Sequence, residues 1–111
     1  MFKKRIKDVN PIVKKFIKEL EKEIRVEKII LYGSYARGEA RDYSDIDLLV
    51  ISPDFEGGTL KDYKILDRAA RRVTPLIEAI AYTPADFENF EKGDFIHEIR
   101  TSGKIVYKRA A

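Results

Sequence analysis

The stretch Ile29–Ser52, IILYGSYARGEARDYSDIDLLVIS, decides the fold of this chain of 111 residues. Two apolar runs enclose a Gly33-Ser34 turn and, ten residues after that turn, the tripeptide Asp45-Ile46-Asp47. Neither run alternates apolar with polar residues, which is typical of strands that are covered on both faces. The stretch therefore predicts two buried strands, with a turn and two carboxylates gathered at their ends.

Length and composition predict one domain spanning residues 1–111. A chain of this size has room for a single hydrophobic core, and its 44% hydrophobic content is that of a globular protein. There is no cysteine, no apolar run long enough to span a membrane, and no apolar signal-peptide region at the N-terminus. We therefore expect a cytoplasmic protein without disulfides and with no membrane partner.

The charge pattern is high in content but low in net value. Charged residues make up 37% of the chain, against about 25% in an average protein, which favours a heat-adapted protein. The net charge of +3 is no nucleic-acid footprint, so nucleic acid is not an expected partner. Basic residues cluster at 3–7, 68–72 and 108–109, either on solvated faces or as a wall beside a phosphate site.

The remaining chain predicts helices and strands in the order α-β-α-β-α-β-α-α-β. Asn10-Pro11 is typical of an N-cap followed by proline, and helical apolar spacing continues to Ile24. Gly58 or Thr59 is expected to cap a helix before the third strand, and Thr83-Pro84 to begin another. We predict an α+β (α/β) fold, with a mixed sheet of about four strands flanked by helices.

The two halves of the opening stretch suit metal-assisted chemistry on phosphates. On a strand beginning at Asp45, the carboxylates of Asp45 and Asp47 would share a face and repel each other, which a divalent cation relieves. Hard oxygen ligands suit Mg²⁺ or Mn²⁺. Gly33 permits close backbone approach, and Ser34, as a helix cap, offers an N–H group to an anion. Together they predict phosphoryl or nucleotidyl transfer.

The segment GSYARGEARDYSDIDLLV resembles the G-S-x10-D-x-D motif of the nucleotidyltransferase superfamily that includes DNA polymerase beta. The short chain and the wording Gly-Ser-Tyr-Ala-Arg-Gly are similar to the minimal nucleotidyltransferase (MNT) family, and the likeness covers nearly the whole chain. The resemblance implies that Gly33 and Ser34 bind nucleotide phosphates. It also implies that Asp45 and Asp47 hold catalytic metal, with up to two Mg²⁺ ions and ATP as the nucleotide donor.

The family places a third carboxylate, usually Asp, on a following strand. Glu78 is the best match here, with Thr83-Pro84 at the expected distance behind it. An acidic residue in an apolar strand is costly to bury unless it is paired or bound to metal, which favours the assignment. The resemblance implies that Glu78 is the general base or a metal ligand, although the longer side chain alters its reach.

Several other polar and aromatic residues near the motif leave alternatives open. Arg37 is expected either to contact phosphate or to brace its loop by pairing with an acidic neighbour such as Asp42. Tyr35 and Tyr43 flank the site, and packing is favoured over stacking on a base. His97 is the only histidine, so it forms no metal cluster with others and is interpreted as structural.

The resemblance implies an enzyme that transfers AMP from ATP to a hydroxyl, by analogy a tyrosine of a partner HEPN toxin that it silences as an antitoxin. Two alternatives remain. One is an inactive antitoxin that neutralises its partner by contact; the other is a nucleotidyltransferase for small molecules, similar to the kanamycin enzymes. The sequence leaves open whether the chain forms a homo-oligomer.

Overall fold

The computed structural model describes residues 8–89 and 93–110, which form a mixed four-stranded sheet with helices on both faces. Phe90 and the basic cluster at residues 3–7 lie outside these ranges. The predicted fold class and order of elements are confirmed. In chain order the elements are α1 (Asn10–Leu20), β1 (Lys28–Tyr32), α2 (Gly33–Arg37), β2 (Ile46–Ile51), α3 (Leu60–Arg71), β3 (Ile77–Tyr82), α4 (Pro84–Glu88), α5 (Asp94–Ser102) and β4 (Lys104–Lys108).

The sheet has the strand order β3-β2-β1-β4. Strand β1 runs antiparallel to β2 and β4, whereas β2 and β3 are parallel and are joined through α3. The register places Asp47 of β2 between Tyr32 of β1 and Glu78 of β3. Paired residues on neighbouring strands point to the same face of a sheet. These three side chains therefore share one face, at the end of β1 where the chain turns into α2.

Both faces of the sheet are covered, which explains the unbroken apolar runs. On one face, Ile46, Leu48 and Val50 belong to a core that includes Phe16 of α1 and Leu66 of α3. On the other face, a smaller core packs β1 and β2 against α5 and consists of Ile30, Leu49, Ile51, Ile96 and Ile99. Burying one such aliphatic side chain stabilises the fold by about 1.5–3 kcal/mol. In residues 8–89 and 93–110, no helix combines the length and apolar character needed to cross a membrane.

The predicted start and end of the first helix were both wrong. Asn10 is the first residue of α1 and not its cap; the cap position is Val9, and the carboxylate of Asp8 accepts the Asn10 N–H at 3.0 Å. The helix ends at Leu20, although Ile24 beyond it is buried. Apolar spacing reports burial, and here the burial continues through a turn after the helical hydrogen bonds have stopped.

Two boundaries around the motif also differ from the prediction. Strand β2 begins at Ile46, whose N–H donates to the Leu76 carbonyl at 2.8 Å, so Asp45 precedes the strand. Helix α2 begins at Gly33, so Ser34 lies inside it and is not its cap. The two threonine caps are confirmed, because Thr59 and Thr83 each accept a backbone N–H from the residue three positions later.

Candidate active site

Five of the six predicted site residues line one open cavity of about 370 Å³, where β1 ends and β2 begins. They are the two residues of the turn, the arginine of α2 and the two aspartates. The lining consists of Tyr32, Gly33, Ser34, Arg37, Ser44, Asp45, Asp47 and Glu98. Donors for an anion and carboxylates for a cation therefore meet in one place, as the motif predicted.

Glycine is required at position 33 for two reasons. Its φ of +74° lies in the left-handed region, which residues with a side chain rarely adopt. A Cβ atom added at Gly33 would also collide with the Oδ2 atom of Asp47. The absence of a side chain thus lets the catalytic-type carboxylate lie directly against the turn.

Asp47 lies in a strongly negative environment. Burial raises the pKa of Asp47 to about 6, and the charges of Asp45, Glu78 and Glu98 raise it further, while Arg37 opposes them. Burial, together with the charge of Asp47, also raises the pKa of the Tyr32 hydroxyl, which therefore stays protonated at neutral pH. The carboxylates at this end of the sheet thus carry negative charge that the nearby arginine does not fully offset.

This donor set fits a hard divalent cation in part. Mg²⁺ typically binds one or two protein carboxylates and completes its shell with water and substrate phosphates, and Asp45 and Asp47 could supply those two. Within residues 8–89 and 93–110, no three acidic or histidine side chains come close enough together to hold a metal ion. A metal bound here would therefore depend on its substrate for further ligands.

Glu78 is beside Asp47 in the register but faces different surroundings. Its side chain is exposed, so the argument that burial would require a partner or a metal for Glu78 was wrong. It lines a separate groove of about 340 Å³ between α3 and β3, with Tyr63, Lys64 and Ala79 among its neighbours. Strand β3 is the edge of the sheet, which leaves one side of Glu78 open to solvent.

Arg37 is held by two carboxylates. Its Nε donates to Glu39 at 2.9 Å and its Nη1 to Glu98 at 2.5 Å. These contacts brace the loop through acidic residues other than the Asp42 that the sequence suggested. Contact between Arg37 and phosphate stays a prediction.

Glu98 is the functional candidate that sequence reasoning missed. It comes from α5, yet its Oε2 accepts the Gly33 N–H at 3.1 Å as well as the Arg37 guanidinium. The only sequence signal is weak: Glu98 follows Phe95 by three residues and so extends the helix face that carries that aromatic ring. Nothing in the spacing indicates that α5 folds back over a turn about sixty residues earlier.

The remaining candidates lie at the rim or outside the cavity. Tyr43 is 66% exposed and Tyr35 packs against the main core, in agreement with packing roles. His97 is exposed on α5.

Residues 13–106 match the protein-family model described as a nucleotidyltransferase domain. A Methanocaldococcus jannaschii protein with the provisional name protein adenylyltransferase is 33% identical over 109 residues, covering 93% of this chain and 74% of the relative. A second protein of that organism, with the same provisional name, is 30% identical over 101 residues, covering 89% of this chain and 99% of the relative.

Solved structures share the fold. A provisionally named nucleotidyltransferase from Sulfolobus solfataricus superimposes with a TM-score of 0.65 at 18% identity, covering 91% of this chain and 81% of its own. A chain from the Shewanella oneidensis complex of a tri-AMPylated HEPN toxin with its MNT antitoxin gives a TM-score of 0.59 at 19% identity, with coverages of 94% and 74%. With a family match over most of its length, the chain belongs to the nucleotidyltransferase domain family of the DNA polymerase beta-like superfamily.

Proposed function

We propose that this protein transfers AMP from ATP to a hydroxyl group, with Mg²⁺ as cofactor. One observation carries the proposal: anion donors and paired carboxylates line the same cavity. The sequence relatives provisionally named protein adenylyltransferases support transfer to a protein. A structural neighbour described as a toxin–antitoxin with AMP-PNP supports an adenine nucleotide as donor.

Each residue of the cavity has a role in this proposal. The Gly33 N–H, Ser34 and Arg37 bind phosphate oxygens, because an N–H group, a hydroxyl and a guanidinium all donate to them. Asp45 and Asp47 hold one or two Mg²⁺ ions, which when bound neutralise the developing negative charge on the phosphates. The raised pKa of Asp47 supports this role, since a nearby cation would favour its ionised form.

Transfer requires an acceptor oxygen in line with the bond that breaks. The acceptor hydroxyl attacks the α-phosphorus of ATP, the bond from that phosphorus to the bridging oxygen breaks, and pyrophosphate leaves with the electron pair. Glu78 accepts the hydroxyl proton. Its position beside Asp47 and its exposure at the sheet edge support this role, since an acceptor on another protein could reach it.

We propose a tyrosine of a HEPN-type toxin as the acceptor, which makes this chain an antitoxin. The support is the shared fold with an MNT antitoxin whose partner toxin is AMPylated. Phosphoryl transfer by this class of site depends on positioning more than on the identity of the acceptor. The partner therefore has to be established by experiment.

The test is incubation of the full chain with ATP labelled at the α-phosphate, Mg²⁺ and the protein encoded by the adjacent gene. We expect label on a tyrosine of that protein, and loss of labelling in Asp45→Asn/Asp47→Asn. The control is Asp67→Asn, an exposed aspartate of α3 outside the cavity, which should label normally. Equal labelling by the double aspartate variant would overturn the proposal.

A second candidate is an antitoxin that acts by contact alone. It is favoured by the separation of Glu78 into a different groove from the aspartates. In that case the intact chain would bind and neutralise the partner without ATP, and the double aspartate variant would neutralise it equally well.

A further inference from the structure

Glu98 already bonds to two of the donors that the proposed function assigns to nucleotide phosphates. Its Oε2 atom accepts the Gly33 N–H at 3.1 Å and the Arg37 Nη1 at 2.5 Å. Both donors and Glu98 line the cavity that contains Asp45 and Asp47. The cradle is therefore filled by an anion from the chain itself.

A carboxylate and a phosphate make equivalent demands on these donors. Each offers an anionic oxygen that forms short, charge-assisted hydrogen bonds with backbone N–H and guanidinium groups. Arg37 has several N–H groups and could serve two anions at once, but the backbone N–H of Gly33 carries a single hydrogen. At Gly33, then, Glu98 and a phosphate oxygen exclude each other.

The fold holds Glu98 at this place through α5. Ile96 and Ile99 are buried against Ile30 of β1, and the ring of Phe95 meets Tyr32 edge-on with the centroids 5.1 Å apart. The side chain of Glu98 itself is 32% exposed. Its carboxylate can therefore rotate towards solvent while α5 stays packed on the sheet.

We propose that Glu98 is an internal competitor of the nucleotide: its carboxylate closes the phosphate-binding turn, and a phosphate must displace it from Gly33. The inference rests on the proposed function for the identity of the ligand. It assigns to Glu98 the part of a residue that weakens phosphate binding and keeps the turn ordered when no nucleotide is bound. Removing its charge while keeping its shape should tighten the binding of phosphates.

The test compares Glu98→Gln with Glu39→Gln in the full chain. Glu39 also pairs with Arg37 but makes no recorded contact with Gly33, so it is the matched control for loss of a carboxylate beside that arginine. Inorganic pyrophosphate without metal is the probe, and the amide signal of Gly33 in nuclear magnetic resonance spectra reports binding. Replacing a charge-assisted hydrogen bond by a neutral one predicts binding tighter by about five-fold in Glu98→Gln. Glu39→Gln should bind as the wild type does.

Several outcomes would overturn the inference. Pyrophosphate binding that is unchanged or weaker in Glu98→Gln would do so, as would equal gains in both variants or no binding to any of the three proteins. Glu98→Ala, which also removes the competing carboxylate, serves as a second variant if Glu98→Gln does not fold. The result is independent of group transfer: tighter binding of pyrophosphate in a protein that labels no partner would support the inference and count against the proposed function.

Discussion

At the scale of single residues, the candidate site is organised by the contact between Gly33 and Asp47. The turn has no side chain, so the Asp47 carboxylate lies against it, where burial and three neighbouring carboxylates oppose ionisation. The arrangement that suits a cation therefore disfavours the folded state when no cation is bound. Sites of this kind commonly trade stability for function.

Asp47→Asn should stabilise the metal-free protein. The pKa of Asp47 is raised from 3.8 to about 6, so its contribution to stability is complete below pH 3.8 and is lost as the pH rises through about 6. A shift of two units corresponds to about 3 kcal/mol, which solvent screening of this partly exposed group reduces to about 1 kcal/mol. We expect Tm to rise by about 5 °C at neutral pH in the presence of a chelator, measured by thermal unfolding.

The gain should depend on pH and on position. It should shrink at about pH 4, where Asp47 of the wild type is protonated in the folded state. Asp67→Asn removes an exposed carboxylate that pairs with Arg71 on α3, and it should give no such gain. A Tm for Asp47→Asn at or below that of the wild type at neutral pH would contradict the argument.

At the scale of elements, the start of α3 depends on one buried carboxylate. Asp62 is 1% exposed and accepts the backbone N–H groups of the four consecutive residues 56–59, at 2.7–3.2 Å. Burial alone would raise the pKa of Asp62, but these four hydrogen bonds outweigh it and lower the pKa below its usual value. Asp62 also completes a reciprocal capping box with Thr59.

Asp62→Asn should destabilise the protein by about 2–4 kcal/mol, because an amide group offers one acceptor oxygen and loses the charge-assisted hydrogen bonds. Denaturant unfolding at neutral pH measures this. Since the folded pKa is lowered, the stabilisation is present above the ordinary aspartate pKa and is lost as the pH falls through the folded value. The difference from the wild type should therefore narrow in acid.

Helix α4 supplies a control for this prediction within the same chain. Asp86 has the same position relative to Thr83 as Asp62 has relative to Thr59, but it is exposed. Asp86→Asn should cost much less than Asp62→Asn. Equal losses in the two variants would show that the capping position, and not the set of buried N–H groups, is what stabilises α3.

The elements themselves were largely predictable, because each depends on local signals. Thr59 and Thr83 begin their helices as the capping pattern indicates. The boundary errors have a common cause, since burial and hydrogen bonding end at different residues. Ile24 is buried beyond the end of α1, and Asp45 precedes the first ladder hydrogen bond of β2. Periodicity detects the first property and says nothing of the second.

At the scale of the whole molecule, the unpredicted features are contacts between residues distant in sequence. The motif indicated which residues surround the cavity, because Gly33, Ser34, Asp45 and Asp47 are near in sequence and on paired strands. Glu98 is brought to Gly33 only by the packing of α5 on the sheet. The exposure of Glu78 likewise follows from the position of β3 at the sheet edge, which a single sequence does not specify.

The basic cluster at residues 68–72 has its partners in the acidic residues of α1 and of the turn after it. Arg68 pairs with Glu23 at 2.6 Å and Arg72 with Glu19 at 3.1 Å, so two ion pairs connect α3 to the first helical segment. This favours the interpretation of that cluster as a solvated, ion-paired face over a wall beside the phosphate site. It also gives the high charged content of the chain a structural use.

Ion pairs of this exposed kind contribute little individually and are screened by salt. The double variant Arg68→Gln/Arg72→Gln should therefore lower Tm by a small amount at low ionic strength. The difference should narrow in about 1 M NaCl, where the Debye length is about 3 Å. Arg71→Gln is the control, because its partner Asp67 is on the same helix and their pair connects no two elements. A deficit in the double variant that persisted in high salt would mean that the arginine stems act by packing, since charge interactions would then be screened.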